Sequence, residues 1–180
     1  GFVLCHPHPL YGGDMENPVV IRAAEVVRAA GHATLRFNFR GVGASTGVHD
    51  KGLGEQDDVR AAVATLAGRL SPGSPVGVIG YSFGAWTAAR AMRPGDAPLV
   101  LIAPPLGMFD FQVLTPGAGR TLLVAGTRDT YCPVDALERL AEATRAEARI
   151  IEGADHFFFG KLYPLGEAIG AWVAGAPPAR

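Results

Sequence analysis

Cysteine is almost missing from this sequence: Cys5 and Cys132 are the only two in 180 residues. So few thiols, so far apart, make no disulfide framework and fit a reducing compartment, which gives a cytoplasmic expectation. An excess of one charge is missing too. Sixteen Lys and Arg against 17 Asp and Glu leave a formal net charge of −1, which gives nucleic acid or an anionic membrane surface no electrostatic footprint. No apolar run approaches the roughly 18 residues of a spanning helix, and the first one leads straight into polar loop residues with no basic segment or cleavage site. What the chain does have is 48% apolar residues, enough over this length for the core of one domain, placed at residues 1–174. A frayed tail is expected from Gly175 to Arg180, around Pro177 and Pro178.

Short apolar runs alternate with stretches of helical period. The pattern predicts an α/β fold: a doubly wound, mostly parallel sheet with helices on both faces. The expected strands are Phe2 to Cys5, Ala33 to Asn38, Val76 to Gly80, Leu99 to Ala103, Thr121 to Ala125 and Arg149 to Glu152. Most lack polar alternation, as strands covered on both faces do. The first helix is marked by Asn17 as cap, Pro18 in the first turn and Gly31 at its end. Others are expected over Gly54 to Leu70, Phe83 to Met92, Val134 to Ala146 and Leu162 to Val173. The segment Pro104 to Arg120 has no helical period and reads as a loop past a strand end, where sites lie in this architecture.

Gly80-Tyr81-Ser82-Phe83-Gly84 satisfies G-x-S-x-G between an expected strand and an expected helix, the setting a nucleophile elbow requires. The plain alternative is a Gly-Ser turn with Ser82 capping the helix. A serine hydroxyl is weakly nucleophilic, so the catalytic reading requires a base and a carboxylate that orients it. Asp129 and His156 each follow a separate expected strand, in the order Ser, acid, His, and the ends of parallel strands share one sheet edge. Asp110 is the rival carboxylate. Asp135 falls inside a helix, and Asp155 is too close to His156 in sequence to orient it. Asp129 is preferred because its tight turn fixes the carboxylate at the sheet edge.

An oxyanion requires two preorganised N–H donors. One is the amide of Phe83, which follows the serine. The other is expected from Cys5-His6-Pro7-His8-Pro9-Leu10-Tyr11-Gly12-Gly13, where Pro7 and Pro9 have no N–H. That leaves His8, Leu10 or Tyr11, with His8 first and Leu10 second. His6 and His8 lack a third partner at metal-ligand spacing, so no metal is assigned. The glycines of Gly41 to Gly47 lack the lysine and the helix of a phosphate loop and read as a turn. Arg40 and Asp58 read as an ion pair, and Glu55, Asp57 and Asp58 as the acidic first turn of a helix.

The strings at positions 5–13 (CHPHPLYGG), 36–45 (RFNFRGVGAS), 80–85 (GYSFGA) and 153–158 (GADHFF) closely resemble a small bacterial serine-hydrolase family of the α/β-hydrolase superfamily, related to dienelactone hydrolases. The resemblance implies a minimal α/β-hydrolase fold, six strands of the superfamily's eight with the first two lacking, and a triad of Ser82, Asp129 and His156. Dienelactone hydrolases carry cysteine where this chain has Ser82. The segment after Leu99 to Ala103 is too short for a cap domain, so an open pocket is expected, lined by Tyr11, Tyr81, Met108, Phe109, Phe111, Phe157 and Phe158. The function expected is hydrolysis of a small-molecule ester through an acyl-enzyme, with no metal or organic cofactor. Acyltransfer, thioester hydrolysis or a non-catalytic binding role on the same fold are the alternatives.

Overall fold

In a computed structural model the chain is described over residues 1–92, 97–116 and 120–175. Six strands form one sheet: β1 (Phe2–Cys5), β2 (Thr34–Arg36), β3 (Gly77–Tyr81), β4 (Leu99–Ile102), β5 (Thr121–Gly126) and β6 (Glu147–Ile151). Their spatial order is β2-β1-β3-β4-β5-β6, and all five pairings are parallel. Four helices make crossovers: α1 (Pro18–Ala29), α2 (Gly54–Ala67), α3 (Phe83–Ala91) and α4 (Val134–Thr144). A fifth, α5 (Leu162–Val173), follows β6, and among the described residues β4 passes to β5 without a helix. A 3-10 turn over Pro9–Tyr11 follows β1. Of the tail expected from Gly175 onward, only Gly175 itself falls among the described residues.

Alternation within the strands builds two cores. Phe2, Leu4, Ile79, Ile102 and Val124 face α1 and α5, whose Val20, Val27, Leu165 and Trp172 cover them. Val3, Cys5, Val78, Leu101 and Leu123 face α2, α3 and α4. Helix ends follow local chemistry: the side chain of Asn17 accepts the Val19 N–H at 3.0 Å with Pro18 at the first position, as the sequence predicts.

The expected second strand, Ala33 to Asn38, is shorter in the structure. Past Arg36 the backbone leaves the sheet as side chains claim it: the Phe39 N–H donates to His6 Nε2, and Asn38 O accepts the Ser45 hydroxyl. The last strand starts two residues earlier than expected and ends one earlier. The segment from Gly41 to Gly47 is a turn. Arg40 grips Asp58 through Nε and Nη2, and its own amide also donates to that carboxylate.

Between β1 and β3 the winding reverses: the chain leaving β1 runs through α1 to β2 at one edge, while the chain leaving β3 runs through α3 toward β4. Such a switch point opens a crevice at the carboxyl ends of the strands.

Candidate active site

Ser82 stands at this switch point, between the end of β3 and the start of α3. Its backbone adopts φ 55° and ψ −118°, a conformation an L-residue holds only under constraint from its surroundings. The constraint is visible. Its N–H donates to Ile102 O at 2.9 Å, its carbonyl accepts the Ala85 N–H at 2.9 Å, and glycines on either side let strand and helix close up. A Cβ on Gly80 would stand 2.6 Å from Ala85 Cα, and one on Gly84 would stand 2.5 Å from His6 O, so a side chain at either position would force the elbow apart. The hydroxyl of Ser82 makes no capping bond to α3. It lies 3.0 Å from His156 Nε2 instead.

His156 and Asp129 reach the same edge from β6 and β5. Asp129 is buried, and its Oδ1 accepts the N–H groups of Tyr131 and Cys132 at 2.9 and 3.0 Å, which fixes the carboxylate in the tight turn expected of it. Its Oδ2 is 2.8 Å from His156 Nδ1. With Nδ1–H donating to the carboxylate, Nε2 is left to accept the serine hydroxyl, so one line of hydrogen bonds joins the three side chains. The Tyr81 hydroxyl donates to His156 O at 2.9 Å, tying the histidine loop to the residue beside the serine. Burial, then the nearby Asp129 and Asp155 charges, hold that phenol well above the usual tyrosine range, so it stays protonated as a donor.

The rival carboxylates are occupied elsewhere. Asp110 is exposed and accepts the Gln112 N–H, Asp135 pairs with Arg139 on the outside of α4, and Asp155 accepts the N–H groups of Phe157 and Phe159.

In the loop after β1, the amides of Leu10 and Tyr11 are both taken up within the turn. Leu10 N–H donates to His8 Nδ1 at 3.2 Å and Tyr11 N–H to His8 O at 3.1 Å. Leu10 itself points into solvent, 70% exposed, and does not line the cleft. This corrects its place as the second oxyanion candidate. The amides of His8 and Phe83 make no hydrogen bond to another group among the described residues. His6 serves the fold: it is fully buried, Nδ1–H donates to Pro7 O at 2.7 Å, and Nε2 accepts from Phe39.

A cleft of about 530 Å³ opens over Ser82 and His156. Tyr11, Tyr81, Met108, Phe109 and Phe157 line it, as expected. Phe111 and Phe158 do not. Phe111 is 4% exposed and packs into the core beneath the loop, and Phe158, with φ 55°, turns its ring under Tyr81 and is fully buried. Pro7, Asn17, Pro105 and Tyr131 line the wall without having been expected there. Tyr131 packs 4.8 Å from the His156 ring, and its place two residues after Asp129 was the available signal. No Lys, Arg, Asp or Glu lines the cleft among the described residues.

Residues 6–156 match the family model described as X-Pro dipeptidyl-peptidase (S15 family). The chain belongs to this family of α/β hydrolases. Solved relatives share the architecture. An α/β serine hydrolase homologue from Coxiella burnetii is 36% identical with a TM-score of 0.87, over 94% of this chain and 82% of that one. A serine hydrolase from Xanthomonas campestris, described as without a lid, is 36% identical with a TM-score of 0.84, over 99% and 83%. A structure from Agrobacterium tumefaciens is 32% identical with a TM-score of 0.89, over 96% and 83%. The S15 chain described here is thus a hydrolase of minimal α/β type, and no helix among its described residues is long and apolar enough to cross a membrane.

Proposed function

We propose that this S15-family chain is a serine esterase acting on small, uncharged acyl esters. The observation that carries the reading is the Ser82 hydroxyl, which declines the helix cap its position offers and lies 3.0 Å from His156 Nε2 on a strained elbow. His156 Nε2 removes the hydroxyl proton as Ser82 Oγ bonds to the ester carbonyl carbon, and Asp129 Oδ2 stabilises the imidazolium. The carbonyl oxygen, now negative, accepts from the N–H groups of Phe83 and His8. Collapse breaks the bond to the alkoxy oxygen, which leaves with the proton from His156. Water then adds to the acyl-enzyme with His156 again as base, and release of the acid restores Ser82.

The uncharged wall supports the substrate class. An enzyme that releases dipeptides from a peptide N-terminus must hold an α-ammonium group in a desolvated place, which requires a paired carboxylate. No such carboxylate lines this cleft among the described residues, whereas Tyr11, Phe109, Tyr131 and Phe157 offer aromatic faces to an apolar acyl or aryl group.

Fluorophosphonate labelling tests the nucleophile, and turnover of p-nitrophenyl esters beside an X-Pro p-nitroanilide tests the substrate class. The wild type is expected to label and to cleave the esters but not the anilide. Ser82→Ala should abolish labelling, and Asp129→Asn should lower kcat by roughly four orders of magnitude in a folded protein. Labelling that persists in Ser82→Ala refutes the nucleophile, and brisk release from the X-Pro anilide refutes the ester class.

A further inference from the structure

A second buried acid–histidine pair stands behind the opposite wall of the cleft, and the reaction above does not use it. Glu55, in the first turn of α2, is fully buried. Its Oε1 accepts the Asp50 N–H and its Oε2 the Gly52 N–H, each at 2.8 Å. The same Oε1 lies 2.8 Å from Nδ1 of His49, whose side chain is only 11% exposed. The approach at that nitrogen departs from the line of a normal hydrogen bond. Two backbone N–H groups thus donate to one buried carboxylate, and the His49 ring nitrogen lies against it. Closing the 50–52 turn alone requires only two acceptor oxygens and no charge, and a charge in such a place is costly unless fully paired.

The pair leads to the wall of the site. The His49 ring lies 5.0 Å from the His8 ring and 5.6 Å from the Phe83 ring, and the His8 and Phe83 rings are 4.8 Å apart. The three rings therefore pack on one another. Two of them belong to the residues whose amides are free to receive an oxyanion, and the third is held by Glu55.

We propose that Glu55 and His49 are positioning residues that hold the His8 and Phe83 amides in register for the developing oxyanion. The inference rests on the esterase reading and adds to it a source for the preorganisation of the hole. The physical reason is that donors contribute to rate only if they are already aimed when charge appears, and aim of this quality requires neighbours that lock each ring. The contacts His8 makes within its own turn, to the Leu10, Tyr11 and Gly13 amides, hold it only to an exposed segment that contributes no buried side chain. The fixed Glu55–His49 pair supplies the lock from behind.

An effect on the oxyanion alone appears in the transition state and leaves ground-state binding unchanged. His49→Phe keeps a ring against His8 and Phe83 but removes the ring nitrogen that lies against Glu55. It is expected to lower kcat on a p-nitrophenyl ester by roughly ten- to a hundredfold, the usual effect of losing such a supporting partner. KM should stay within about twofold, and affinity for a trifluoromethyl ketone, which mimics the tetrahedral adduct, should fall by the same factor as kcat. Glu55→Gln should act in the same direction, and if it fails to fold, His49→Phe carries the test, with its melting temperature as control. A folded His49→Phe protein whose kcat and ketone affinity match wild type, while wild type itself turns over ester, overturns this inference alone. Wild type that neither turns over ester nor labels at Ser82 overturns the esterase reading and this inference with it.

Discussion

His6 shows how one buried side chain ties the fold to pH. Its ring is fully enclosed, and Nε2 must stay unprotonated to accept the Phe39 N–H. Burial holds its pKa below the usual histidine range, opposed in part by the bond to Pro7 O and the Asp14 charge. The unfolded chain, with an ordinary histidine near 6.5, then binds more protons than the folded one over the interval between the two values. Stability from this group is therefore present above about 6.5 and lost as pH falls through the lower folded value. Urea midpoints at pH 8 and pH 5 should fall further for wild type than for His6→Gln, whose amide offers Phe39 an acceptor that does not titrate. An equal fall in both proteins would assign the acid sensitivity to other groups.

Elements meet most closely at the elbow. Gly84 lies where α3 crosses the carbonyls of Cys5 and His6, and a methyl group there would meet backbone on the β1 side. Backbone cannot swing aside as a side chain can. Gly84→Ala should therefore cost at least the roughly 1–3 kcal/mol of an overpacked interior position, read from the urea midpoint, and should slow fluorophosphonate labelling by shifting Ser82.

This closeness was legible in the sequence, because G-x-S-x-G between an apolar run and a helical run names both the glycines and the geometry. The carboxyl ends of β3, β5 and β6 were legible from their apolar runs, and with them the meeting of Ser82, Asp129 and His156. The loops were less so. Phe157, Phe158 and Phe159 are identical side chains in a row with no helix or strand period to sort them, and a positive φ at Phe158 decides which one turns inward. Glu55 reads in sequence as one of three acids in the first turn of a helix. It is buried because the segment before α2 folds over it and brings His49 alongside. These contacts come from the few residues just before the helix, and a segment folding back on its own helix start has no period to read. The length of β2 was lost too, since the Phe39 N–H pairs with His6, 33 residues away.

At the scale of the molecule, the two cores share five strands of one sheet, β1, β3, β4, β5 and β6. Leu4 points to the α1 and α5 side and Leu101 to the α2, α3 and α4 side, both essentially fully buried. Leu4→Ala and Leu101→Ala should each destabilise by about 2–5 kcal/mol. Because neither layer holds without the strands between them, tyrosine fluorescence and far-ultraviolet circular dichroism should report one coincident urea transition in both variants. Separate midpoints for the two signals would mean that one layer melts first.

The two cysteines sit within the same shared sheet and its edge. Cys5 and Cys132 are fully enclosed, and burial holds both thiols far above their usual range, with the Asp129 charge adding to the effect at Cys132. Thiolate, the form that reacts, is scarce at either one. To alkylating dyes the folded chain is therefore blank. A lone cysteine introduced in place of Phe159, which is 77% exposed and packs beside Phe157 on the cleft wall, would be the single thiol such a dye could address, so a fluorophore placed there would report occupancy of the cleft without any change to the native cysteines.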